Sequence, residues 1–383
     1  MDFAIVTSPS NVRYFSQTKL GIQGIIGWWD APKIVLFPVS KDVKPVLVAN
    51  VMDAWNVLEQ KESPCEPLYY GDFVIDLAER LNDQMKQLKQ ICEKSRAEPR
   101  DAFQLVSEFV NSWDGVAGPI NVGVESHHLP SRARDMLKSR HPKIEFKDVD
   151  DALGKIRMIK TEEEVEKIRE SSIVNIKGFR AALDEIRVGV KESELARAYL
   201  DEIAKYDAHP CYVMINAGPS SAAIFPSYDK PYKIRKGDTI RMDVGCEYKG
   251  YCSDVSRTVS IGNVSEEKKT ILNATTAGCV ETIKRLEPGL PIREIFDYAV
   301  SVVREAGIPN YRRANVGHGI GIEVHELPDL TPKEEGVLET NMVINLETPY
   351  YSFGIGGFPC EETVRITRKS YELLTRMERE IQL

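Results

Sequence analysis

The sequence predicts two domains, an α/β N-terminal domain followed by an α+β domain whose curved antiparallel sheet is backed by helices and built by an internal pseudo-twofold duplication. Three observations carry that expectation. At 383 residues the chain exceeds the length at which one hydrophobic core normally suffices. Residues 1 to about 155 alternate short apolar strands with helical stretches, and the segment GKIRMIKTEEEVEKIRESSIVNIKGF then opens a different pattern. Beyond it the same plan, two helices and an acidic strand-turn-strand, runs twice.

In the first domain, 1–155, strands are expected at Phe3 to Thr7, Ile34 to Val39, Pro45 to Val51 and Ile120 to Val124, with a helix over Val74 to Glu93. No chemistry clusters there. The second domain, 156–383, opens at a capping box of Thr161 with Glu164. Val165, Ile168, Ser172, Ile176, Phe179, Leu183 and Ile186 then recur at helical spacing. Helices over Thr161 to Ile186 and Glu192 to Lys205 precede a hairpin bearing Asp243 and Asp254. Helices over Ser265 to Leu286 and Ile292 to Ala306 precede a second one bearing Glu347 and Glu361. The offsets between corresponding acids, 347 − 243 = 104 and 361 − 254 = 107, are too long for a solenoid repeat and fit two halves of one domain.

Alternation over Ile240 to Val244 and Val255 to Ile261 gives two strands joined near Tyr248 and Lys249. That turn places Asp243 directly opposite Asp254, where side chains lie about 4.5 to 5.5 Å apart. The second hairpin is longer, with its turn through Gly354, Gly356 and Gly357. Strand side chains alternate between faces, so parity tells which residues share a surface. Arg241 and Gly245 accompany Asp243; Ser256 and Thr258 accompany Asp254; Asn345 accompanies Glu347; Thr363 and Arg365 accompany Glu361. The opposite parity is mainly apolar: Met242, Val244, Val255, Val259, Ile344, Leu346, Val364 and Ile366. Glu362 falls on that apolar side and is given a supporting role behind Glu361.

Four carboxylates converging on one face would repel and could not all stay ionised, whereas two divalent cations neutralise them. His318, in a loop between Gly317, Gly319 and Gly321, adds a nitrogen donor, and the glycines let backbone approach closely. The five residues together read as a two-metal hydrolase site. A formal charge of −8 and a pI near 5.5 argue against nucleic acid or an anionic membrane as partner and favour a small peptide or small-molecule amide substrate. No basic, signal-like stretch follows Met1, and the apolar run Ile34 to Phe37 is far below the ~20 residues of a membrane span. Seven cysteines without CxxC pairs suit a reducing cytoplasm. Cys360 is expected to pack within its strand.

MDVGCEYKGYCSDVSRT, GHGIGIEVHELP, NLETP and GGFPCEETVRIT resemble, in that order, the paired-aspartate hairpin, histidine block and two glutamate strands of the pita-bread metallopeptidases. This family includes prolidase, aminopeptidase P, methionine aminopeptidase and the creatinase relatives. Residues from SPSNVRYF to the KIRMIKTEEE linker resemble the smaller N-terminal domain of its prolidase and creatinase branch. The resemblance implies metal ligation by Asp243, Asp254, His318, Glu347 and Glu361. It implies that His325 touches the substrate amide and developing oxyanion, and that Glu347 also takes the proton of the attacking water. It further implies hydrolysis of the amide bond before proline with two divalent ions, manganese first and cobalt, zinc or iron as alternatives, in a homodimer.

Three departures bear on substrate. Phe225-Pro226-Ser227 stands where peptidases of this family carry a histidine after a proline, Pro359 where many carry an arginine, and Asp329 where some prolidases place a basic residue. Hydrolysis or lysis of a small C–N compound in the same pocket is therefore the alternative chemistry, and a binding module that keeps the fold is the alternative class.

Overall fold

The computed structural model describes residues 1–18, 32–60, 63–76, 81–112, 118–225 and 229–383. These divide into two compact units, Met1–Leu153 and Gly154–Leu383.

The first unit holds a six-stranded mixed sheet of β1 (Phe3–Val6), β2 (Ile34–Pro38), β3 (Val46–Asn50), β4 (Glu66–Tyr70), β5 (Ile120–Val124) and β6 (Ile144–Asp148), in the order β4-β3-β2-β1-β5-β6. The apolar residues of the inner strands, such as Ile5, Leu36, Val48 and Val122, form its core with Phe103, Val106 and Leu137 from helices Ala102–Asn111 and Ser131–Arg140. The two strands that patterning does not find, β4 and β6, are the sheet edges. Each is buried on one side only, and Glu66, Glu145 and Lys147 dilute the apolar signal. Of the helix expected over Val74 to Glu93, residues 77–80 lie outside the described residues; the observed helix is Asp83–Ala97, whose first turn is capped by the Asn82 side chain accepting from the Met85 N–H.

The second unit opens with the expected capping box. The Thr161 hydroxyl accepts from the Glu164 N–H at 3.2 Å and the Glu164 carboxylate accepts from the Thr161 N–H at 2.7 Å, starting the helix Glu162–Asp184. Helices Glu192–Ala204, Glu266–Ile283 and Ile292–Glu305 complete the four. Strands β7 (His209–Ala217), β8 (Thr239–Tyr248) and β9 (Tyr251–Ser260) form one sheet with the terminal β17 (Ile381–Gln382). A second sheet runs β11 (Glu326–Asp329), β10 (Gly317–Gly319), β12 (Val343–Glu347), β15 (Glu361–Ile366) and β16 (Tyr371–Leu373).

The duplication is visible in the joints between helices. Gly189 donates to the Ile234 carbonyl and Gly289 to that of Leu338, at 2.8 and 2.7 Å, and both glycines turn the chain with φ near +90°. Return bonds from Ile234 to Val190 and from Leu338 to Leu290 are 2.9 Å each. The same bridged turn thus precedes the second helix of each half.

Parity assigns the apolar faces as expected. Met242, Val244, Val255 and Val259 pack with Phe179, Leu195 and Tyr199, and Ile344, Leu346, Val364 and Ile366 pack with Ala274, Ile295 and Val303. The turn of the first hairpin needs correction. Tyr248 pairs with Tyr251, so the two-residue turn is Lys249-Gly250 rather than Tyr248-Lys249. Both turn residues have positive φ, +50° and +90°, as a type I′ hairpin requires, and Gly250 accommodates it without strain. Asp254 therefore lies opposite Gly245, and Asp243 opposite Ser256. The aspartates are diagonal neighbours on one face, not directly opposed.

The ladder is interrupted between β9 and β15, and side chains join the two sheets instead. Arg257 donates to the Glu361 carbonyl and, at 2.8 Å, to the Glu362 carboxylate, while Thr258 donates to the Pro359 carbonyl at 3.1 Å and Thr363 to that of Asp254 at 3.0 Å. Glu362 also accepts from Thr375 at 2.7 Å and Arg379 at 2.8 Å, so its supporting role is to anchor this seam. Among the described residues no helix is long and apolar enough to cross a membrane.

Arg257 and Glu362 are both fully buried. Removing one member of such a pair strands the other charge, so Glu362→Ala is expected to destabilise the protein by about 3–5 kcal/mol. Loss of the exposed helix cap in Thr161→Ala should cost only about 1 kcal/mol. Urea unfolding of the two variants beside the parent checks the ranking.

Candidate metal centre

The ligand atoms of Asp254, His318 and Glu361 all lie within 4.8 Å of one another, and all three residues are buried. His318 Nε2 is 3.8 Å from Asp254 Oδ2 and 4.0 Å from Glu361 Oε1. Asp254 comes from the first acidic hairpin and Glu361 from the second, so one residue of each half meets the histidine between them.

His318 belongs to a strand, β10, rather than the loop expected from its glycines. Gly317 and His318 pair with Leu346 and Asn345 of β12. A Cβ on Gly317 would stand 1.9 Å from the Asn345 carbonyl oxygen, and one on Gly319 would stand 2.1 Å from that of Leu327. The glycines thus allow two neighbouring strands to close on the histidine from either side. His318 Nδ1 lies 3.0 Å from the Gly319 carbonyl. A carbonyl can only accept, so Nδ1 carries a proton, and Nε2 is the nitrogen that faces Asp254 and Glu361.

Glu347 and Glu361 are directly opposed in the β12–β15 ladder, where side chains sit about 4.5–5.5 Å apart. Asp243 shares the face of Asp254, two residues away along the ladder. The acids feel one another. Burial, then the charge of Asp254, pushes the Asp243 carboxyl up to about 8. Burial raises Glu347, opposed by the Arg313 guanidinium, and burial followed by Asp254 and Glu347 holds Glu361 well above the usual carboxylate range. His325 stacks on His318 with ring centroids 3.7 Å apart at 17°. Partial desolvation, and then His318, holds its imidazole below the ordinary range and so neutral near pH 7.

Three further side chains touch the acids. Asn345 donates to Glu361 Oε1 at 3.0 Å, and parity had placed it on this face. Arg313 Nη2 lies 3.4 Å from Glu347 Oε1. The Tyr212 hydroxyl donates to Asp254 Oδ1. Tyr212 follows an irregularity in β7 between Pro210 and Tyr212, which places it opposite Gly245, itself opposite Asp254. A Cβ on Gly245 would stand 2.7 Å from the tyrosine ring, so the missing side chain opens the path from Tyr212 to Asp254. Gly245 is the sequence trace of that contact. Arg313 left none.

Of the departures noted in the sequence, Pro226 and Ser227 lie outside the described residues. Pro359 offers its carbonyl to Thr258. Asp329, exposed, pairs in register with His318 across the β10–β11 bulge.

Burial, gathered carboxylates and an imidazole nitrogen facing two of them make a donor set that suits divalent cations. The comparisons agree. Residues 166–368 match metallopeptidase family M24, and residues 1–159 match the creatinase/prolidase N-terminal domain. The chain is 30% identical to an Xaa-Pro dipeptidase of Pyrococcus horikoshii over 91% of its own length and 97% of that protein's, and 32% identical to one of Pyrococcus furiosus over 91% and 98%. The solved prolidase of P. horikoshii superposes with a TM-score of 0.79 at 26% identity, covering 99% of this chain and 95% of that one.

A cation entering this cluster displaces the protons that burial, and then repulsion, keeps on the acids. With Asp243 titrating at about 8, metal affinity should rise as pH climbs from 6 toward 8, by about tenfold per unit for each proton displaced. Calorimetric titration of metal into chelator-treated protein, in buffers of different ionisation enthalpy, should register proton release at pH 7; a flat profile would contradict it.

Proposed function

We propose, because this chain belongs to metallopeptidase family M24, that it is a metal-dependent Xaa-Pro peptidase that hydrolyses the amide bond preceding proline. The observation that carries the reading is the meeting of buried Asp254, His318 and Glu361 within 4.8 Å. Asp243, Asp254, His318, Glu347 and Glu361 would hold two divalent ions, manganese first, with cobalt, zinc or iron as alternatives. Bound there, the ions would supply Lewis acidity, polarising the scissile carbonyl and lowering the pKa of the attacking water.

The chain's own groups do the rest. Glu347, its basicity raised by burial, accepts the proton of the attacking water. His325, neutral and stacked on His318, donates a hydrogen bond to the oxygen that gains charge as the carbonyl becomes tetrahedral. Tyr212 and Asn345 hold Asp254 and Glu361 in one rotamer each, which limits the reorganisation needed during turnover. A homodimer in the cytoplasm is the setting that the family resemblance supports.

Asp329, carboxylate where some prolidases carry a base, favours one second reading, a small C–N substrate without a free carboxylate. The separating experiment is a panel of Xaa-Pro dipeptides, longer Xaa-Pro peptides, amidines and betaines, each supplied with manganese, cobalt or zinc. Release of proline from dipeptides is the expected result, and cleavage of amidines or betaines alone would overturn it. Asp254→Asn should lose both metal uptake, read by elemental analysis, and turnover by about 100-fold or more. Retention of two metals per chain by that variant would contradict its role.

A further inference from the structure

His325, asked to meet a reacting oxygen, is stacked on His318. Its ring is solvent-facing, and among the described residues no hydrogen bond reaches either ring nitrogen. Stacking on His318 fixes the plane of the ring but leaves it free to slide within that plane. What restrains the sliding is the backbone, and the next residue along is its most heavily tied point.

Glu326 is buried and accepts from three donors. Arg157 Nη2 reaches Glu326 Oε1, Lys160 Nζ reaches Oε2 at 3.0 Å, and the Glu323 N–H donates to Oε1 at 3.1 Å. Arg157 also holds the Glu323 carboxylate at 2.6 Å, closing a ring of charges around the segment that ends in His325. Arg157 and Lys160 are themselves buried, at 6% and 2% exposure. Gly321 completes the arrangement: a Cβ there would come within 2.6 Å of the Glu326 carboxylate, so this glycine makes room for the carboxylate to tuck beneath the loop. A charge cluster of this kind is a costly way to gain stability alone, since apolar residues of similar volume generally do as well. What it supplies is a fixed geometry.

We infer that Glu326, clamped by Arg157 and Lys160, is a positioning residue that sets His325 against the substrate oxygen. The inference rests on the role given to His325 above, and it assigns no contact with substrate to Glu326. The clamp joins the histidine block to the last turn of the helix Asp150–Met158, which carries Arg157, and to Lys160 in the link to the helix Glu162–Asp184, 169 and 166 residues away along the chain.

A double-mutant cycle on the metal-loaded protein tests it, with an Xaa-Pro dipeptide as substrate and metal content measured for every variant. Glu326→Gln should lower kcat by about 10- to 100-fold, the penalty of misplacing a reacting group by about 1 Å, with KM and metals per chain unchanged. In a His325→Ala background the same change should cost nothing further, because the group it positions is gone. Should Glu326→Gln fail to fold, Lys160→Met removes one arm of the clamp for the same cycle, and Lys160→Arg should restore most of the rate. Losses that multiply in the double variant would assign the cluster to stability and overturn the inference while leaving His325's role intact. A His325→Ala variant of undiminished kcat would instead sink the role of His325, and the inference with it.

Discussion

Like charges gathered on one buried face are the constraint around which the second unit is built. Each hairpin places two of the four carboxylates on this face, because a strand offers only every second residue to a given side. The solution is to use two hairpins, and to bring β9 of one against β15 of the other so that Asp254 and Glu361 approach. Burial, with repulsion between the acids added to it, is recorded in the raised carboxyls of Asp243, Glu347 and Glu361. Carboxylates packed this closely are eased by positive charge brought among them.

The reverse side of the same seam is charge-balanced. Arg257 and Glu362 face one another with Arg379 and Thr375 in support, and Arg257 also caps the Glu361 carbonyl. Adjacent residues Glu361 and Glu362 thus meet opposite fates, one among carboxylates and one among guanidinium groups, because a strand turns successive side chains to opposite faces. Holding the seam with side chains leaves the acidic face free of intervening ladder partners, so both hairpins can contribute to it.

Much of this was legible in the sequence. Strict alternation identified the polar and apolar faces of β8, β9, β12 and β15, and the capping box at Thr161 gave the helix start to the residue. The placement of the first turn failed, since choosing its centre from the aspartates' spacing overlooked the demand for positive φ that Gly250 meets. The parity argument survived because correcting the register moves each partner by two positions, and an even shift leaves faces unchanged. His318 was read as a loop residue because three glycines mimic a turn, whereas here they let strands crowd together. The edge strands β4 and β6 gave a weak signal, being half polar. Tyr212 was hidden by a strand irregularity that no alternation reveals, and Arg313 by a tertiary approach with no local pattern.

Gly245 ties three strands together. Its bare α-carbon carries the ring of Tyr212 on its way to Asp254, so any methyl group there must evict the phenol or bend the hairpin. The phenol at 212 and the bare carbon at 245 are therefore two halves of one fitting, and a change to either alone releases Asp254 from its anchor.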